Sequence, residues 1–211
     1  MINSAKKWHG YLLAFIAACG WATGGLISKW VFSYAPVITP EILAAARSCV
    51  SAAILGVILL IFRRTVFRMR WSWQTVLYLF SFGAILVVAV QFTYYKTISL
   101  TSVATAILLQ YLAPIFTLAL GVAFFKQKLR WQMVVGVVCA IIGCAFAVGA
   151  FASGGLTITP TGLALGVLSA FLFAIYSMMG AHAGPYASPL ALLFYGLIFA
   201  SIMWTVVNAL N

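Results

Sequence analysis

The chain is almost without acid. Among 211 residues Glu41 is the single Asp or Glu, against twelve Lys and Arg, and there are two histidines, His9 and His182. A Ser/His/Asp set or an HExxH zinc site has nothing to assemble from, and no phosphate-binding glycine loop is present. An enzyme is therefore not expected, and neither is a cofactor or a metal. The four cysteines (Cys19, Cys49, Cys139 and Cys144) fall inside apolar runs and form no CxxC pair. They read as small packing residues rather than disulfides or ligands. Charge of any sign is scarce: 6% of residues are charged and 65% are hydrophobic. A soluble chain has about 25% charged and about 45–50% apolar residues. That much apolar surface cannot be hidden in one core, so the expected solvent is a lipid bilayer.

Seven apolar runs are long enough for spanning helices, at about 11–34, 40–62, 75–97, 101–125, 131–151, 160–182 and 189–210. They are continuous, not the short alternating segments of a barrel. The fold class expected is an all-α polytopic membrane protein. The basic residues cluster between runs: Lys6 and Lys7, then Arg63, Arg64, Arg68 and Arg70, then Lys126, Lys128 and Arg130. Short basic connections mark the cytoplasmic side. This puts the N-terminus in the cytoplasm and the last residue of this chain outside, in a multi-pass protein of the inner (plasma) membrane. Lys29 and Lys96 fall near outer helix ends, where long side chains can snorkel to the interface. Trp71, Trp73 and Trp131 suit the interfacial aromatic belt. The positive balance is thus a topology signal with some attraction for anionic lipid. Nucleic acid is not an expected partner, since no basic soluble domain exists to hold it. The N-terminal Lys-Lys followed by Cys19 looks like a lipoprotein signal, but the run continues to about Tyr34, which is span length.

Gly10, Ala14, Ala18 and Ala22 form a stripe of small residues on the first run; Gly162, Gly166, Ala170 and Ala174 repeat it on the sixth. Such stripes let helix backbones approach closely. Each run is followed by an uncharged connection bearing prolines (Pro36 and Pro40; Pro185 and Pro189). A five-helix unit is implied, 1–151, with a second, incomplete unit over 152–211. An odd-numbered unit inserts its second copy upside down, as in secondary transporters.

Four stretches carry a resemblance to a family: GYLLAFIAACGWATGGLISK, YYKTISLTSVATAILLQYLAPIFTLALGVAFF, KLRWQMVVGVVCAIIGCAFAV and PTGLALGVLSAFLFAIYSMMGAHA. Together they resemble the EamA-like branch of the drug/metabolite transporter superfamily. That resemblance implies ten helices in two inverted repeats of five, of which this chain shows seven. It also implies alternating-access transport of a small-molecule substrate, a small metabolite or amphiphilic compound. Completion would come from a homo-oligomer or from the missing second-half helices. The alternative is a non-transporting truncated protein or an assembly partner. Two departures stand out: Gln127 occupies a place where the family usually has Glu, and seven helices stand where the family has ten. The superfamily's small multidrug exporters, which resemble this fold, depend on a membrane Glu in the first helix; that helix has no acid here, so carboxylate-driven antiport is not expected.

The candidate cavity residues are polar or aromatic groups inside these runs. Pro114 removes a helical hydrogen bond and should kink the fourth helix, freeing a carbonyl around Gln110. Gln110 and Tyr111 then either flank a solute cavity or, for Gln110, bond a neighbouring helix as glue. Arg47 is either an anion site or a side chain reaching the outer interface or helix-end carbonyls. Gln91 and Tyr95, four apart on one helix face, suit a small organic ligand or the outer aromatic belt. Trp21 on the first helix and Tyr176 on the sixth complete the set, with close helix packing as the alternative use around Trp21.

Overall fold

The computed structural model describes residues 4–35, 37–69, 71–125, 128–147 and 159–210. Arg70, Lys126 and Gln127 lie outside the described residues, as do the side chains of Lys6, Lys7, His9, Ala14 and Cys144. Among the described residues seven long helical segments follow one another, α1 (Ser4–Tyr34), α2 (Pro40–Phe62), α3 (Trp73–Leu100), α4 (Val103–Phe125), α5 (Trp131–Ala147), α6 (Pro160–Ala181) and α7 (Pro189–Leu210), with a short 3-10 turn at Arg64–Phe67 between α2 and α3. Among the described residues there is no strand, and every helix but α5 is long and apolar enough to cross a membrane. This is an all-α, multi-pass membrane protein.

Local chemistry sets the helix starts. Thr39, Ser72, Ser102 and Thr159 each turn a side-chain oxygen onto the backbone N–H three residues on. That satisfies a donor the first turn would otherwise leave bare. Pro40 and Pro160 then occupy the first turn, where a missing N–H costs nothing.

Two helices are irregular in their middle. In α3 the stretch Ser81–Val87 is wound as a π-helix, a form that recurs at functional sites. The kink expected at Pro114 proves to be an interruption that begins before the proline. α4 stops at Gln110, turns through Tyr111 and Leu112, and resumes at Ala113. Pro114 has no N–H to return to the Gln110 carbonyl four residues earlier. Leu112 instead closes a tighter turn by donating to the Leu109 carbonyl, at 3.1 Å.

Helix α3 is the centre of the bundle. It packs on α2, α4, α6 and α7, while α2 also packs on α7 and α6 on α4. Trp204 and Tyr95 are the largest side chains fully buried there. Helices α3 and α7 approach backbone to backbone: a Cβ on Gly83 would lie 2.4 Å from the Gly196 carbonyl oxygen.

Several expectations are corrected by packing. The two small-residue stripes do not share one fate. Gly162, Gly166, Ala170 and Ala174 are buried, and a Cβ on Gly166 would meet Leu109 Cδ1 at 2.3 Å. On α1, Gly10, Ala18 and Ala22 are exposed, with nothing within 4 Å of a Cβ on Gly10. Cys19, Cys49 and Cys139 are free and face outward instead of packing inside. Lys29, near the outer end of α1, donates its Nζ to the carbonyls of Ile98 (3.1 Å) and Thr101 (3.0 Å). A cation at the C-terminal end of α3 meets the negative end of the helix dipole.

Candidate functional site

A cavity of about 490 Å³ opens between the helices. Trp21 reaches it from α1, Arg47 from α2, Gln91 and Tyr95 from α3, Gln110 from α4 and Tyr176 from α6. Leu193 and Leu197 of α7 add apolar wall. A second cavity of about 300 Å³ holds Tyr111 and Pro114. Trp21, Gln110 and Phe173 line both, so they form the partition between the two spaces. Six of the residues singled out in the sequence are thus brought to one cavity, and Tyr111 and Pro114 to its neighbour.

The polar groups are ordered by what each can donate. Gln91 Oε1 accepts from the indole N–H of Trp204 at 2.8 Å and from the hydroxyl of Ser48 at 3.0 Å. An indole nitrogen can only donate, so it fixes which end of the amide is oxygen. Among the described residues the Gln91 Nε2 has no partner and is left as a free donor. Trp204 and Ser48 are themselves buried, which holds the amide rigid. Arg47 Nη1 donates to the Tyr95 hydroxyl at 2.5 Å, with the guanidinium carbon 6.0 Å from the ring centroid. The guanidinium is therefore turned to Tyr95 at the cavity and not to helix-end carbonyls. Because the Tyr95 oxygen accepts that bond, its own proton stays free to donate.

Gln110 differs from both. Its Nε2 and Oε1 are buried, and neither has a hydrogen-bond partner among the described residues. Glue between helices would require a partner on a neighbouring helix. A buried amide left unsatisfied costs about 1–3 kcal/mol per group.

The far wall is a run of rings. Trp21 meets Phe173 edge-on with centroids 5.3 Å apart. Phe173 stacks on Tyr176 at 5.6 Å, and Tyr176 stacks on Phe82 at 5.0 Å. Phe82 is presented by the π-helical turn of α3. Phe82, Phe173, Ser48 and Trp204 were not anticipated. The Phe173–Tyr176 pair, three apart on one helix face, carries a weak signal. Phe82 and Trp204 carry none, because an aromatic inside an apolar run looks the same whether it faces lipid or cavity. Among the described residues no acid lines the cavity, so Arg47 is its one fixed charge.

A family model described as "EamA-like transporter family" matches residues 8–149. The chain is similar to the uncharacterized transporter YxxF of Bacillus subtilis (strain 168), at 32% identity over 112 residues. Those residues are 53% of this chain and 36% of that protein. A solved structure, described only as the crystal structure of a protein, shares the fold with a TM-score of 0.64 at 18% identity. That match covers 90% of this chain and 65% of the solved one. The chain thus spans about a third of the transporter's length and just under two thirds of the solved chain's.

Proposed function

We propose, from the premise that this chain belongs to the EamA-like transporter family, that it moves small metabolites or amphiphilic compounds through the cavity between α1, α2, α3, α4 and α6. The observation that carries this reading is Gln110. A polar group buried without a partner is costly, and such groups persist where a function needs them. A solute that reaches the amide as α4 moves at its interruption would supply the missing bonds. Transport then runs by alternating access, with two inverted halves rocking about a central site. In this reading the chain catalyses no covalent step. Its membrane is the inner (plasma) membrane, with the α2–α3 connection and its exposed Arg63, Arg64 and Arg68 on the cytoplasmic side.

The interruption at Tyr111–Leu112 is the hinge. Pro114→Ala returns an N–H to the Gln110 carbonyl and favours a continuous α4. One hydrogen bond of about 1 kcal/mol corresponds to roughly fivefold in rate. Exchange of solute across proteoliposomes is expected to slow by about that factor; an unchanged rate would mean a static bend.

A panel of labelled anionic, neutral and zwitterionic organic solutes tests the function itself. At least one is expected to cross vesicles holding the protein, saturably and faster than protein-free vesicles. A second reading, a role only within a larger assembly, draws on the uncovered stripe of α1. No flux of any solute from this chain alone would favour that reading and count against the first.

A further inference from the structure

The transporter reading leaves the solute's chemistry open, and the following rests on that reading. We propose that the cavity takes a planar aromatic carboxylate, its carboxylate held by Arg47, Gln91 and Tyr95 and its ring laid along Phe173 and Tyr176.

The polar corner is donor-only. Arg47 spends one N–H on Tyr95 and keeps others. Tyr95, having accepted that bond, has its O–H to give. Gln91 has its oxygen occupied by Trp204 and Ser48, so it presents its NH2. Three donor groups, one of them charged, with no free acceptor among them, complement an oxyanion. Charge-assisted bonds to a carboxylate are about twice as strong as neutral ones. A ketone or an alcohol would leave most of these donors unmet.

The sign of the charge excludes the other obvious ligand. Stacked aromatic rings also attract cations through their π faces. Here a cationic solute would meet the Arg47 guanidinium with no carboxylate among the described lining residues to offset it. The aromatic wall is therefore left to do what rings do for rings. Phe173 and Tyr176 lie 23° from parallel and Tyr176 and Phe82 lie 25° from parallel, so the wall is already a run of near-parallel rings that a flat ligand can extend. A volume of about 490 Å³ holds one or two fused rings with a carboxylate.

The test is equilibrium binding of radiolabelled 2-naphthoate to the full chain in nanodiscs, against protein-free nanodiscs. Two near-isosteres, 2-naphthamide and 2-(aminomethyl)naphthalene, serve as competitors. Saturable binding of naphthoate is expected, with each competitor at least tenfold weaker. Arg47→Gln should weaken naphthoate at least tenfold and leave the amide unchanged; Arg47→Lys should recover part of the loss. The ligand series needs no mutant, so it stands even if Arg47→Gln fails to fold. Equal binding of the amide or the amine, or no saturable naphthoate binding, would overturn the proposal. Failure here while another solute crosses vesicles would sink the carboxylate assignment and spare the transporter reading. Naphthoate binding as expected, with no solute crossing at all, would support the site and sink transport.

Discussion

Gly83→Leu is expected to abolish the folded protein in detergent. The Cβ alone would lie 2.4 Å from the Gly196 carbonyl oxygen, 2.8 Å from Phe199 Cβ and 2.9 Å from Gly196 Cα. Two of those three atoms are backbone, which cannot swing aside as a side-chain tip does. Overpacking typically costs about 1–3 kcal/mol when neighbours are able to shift. Here α3 and α7 would have to part, and α7 carries Trp204, the buried anchor of Gln91. Gly20→Leu is the matched control, since Gly20 is exposed and nothing lies within 4 Å of its added Cβ. Exposed substitutions of that kind usually stay within about 0.5 kcal/mol. The thermal unfolding midpoint and the monodisperse yield read both. Wild-type behaviour from Gly83→Leu would mean that α3 and α7 do not cross there.

Gln110→Leu is expected to make the protein more stable and less active at once. Leucine nearly matches the amide in volume and asks for no hydrogen bonds. Removing two unsatisfied buried atoms should recover about 1–3 kcal/mol, seen as a raised unfolding midpoint. Solute flux should fall at least tenfold, because the partition between the cavities loses its one amide. A glutamine that merely glued helices would behave in the opposite way, losing stability and keeping flux. The pairing of the two readouts therefore separates a site residue from a structural one.

The spans were legible because hydropathy over about 20 residues is a strong signal. Helix starts at Pro40, Pro160 and Pro189 follow from proline chemistry and were placed to the residue. The candidate site was legible for a related reason. Arg47, Gln91 and Gln110 are expensive in hydrocarbon, so their presence asks for a partner or a cavity. What the sequence could not give is which polar group meets which. Trp204 and Gln91 are 113 residues apart, and no spacing rule joins them. The π-helical turn at Ser81–Val87 has no residue type that announces it. The stripes teach a further limit. Small residues at every fourth position permit close approach, but they do not say that a helix is there. On α6 one is present; on α1, among the described residues, none covers it.

The central claim is that the cavity is the solute's path, and Val90 gives the most direct access to it. Val90 lines the cavity from α3 beside Gln91. With the four native cysteines replaced by alanine, Val90→Cys can be exposed to a membrane-impermeant anionic methanethiosulfonate, added to either side of sealed vesicles. The expected result is modification from at least one side, slowed several-fold by whichever solute the vesicles carry. A thiol that reacts from neither side, or reacts at a rate no transported solute alters, would contradict the account.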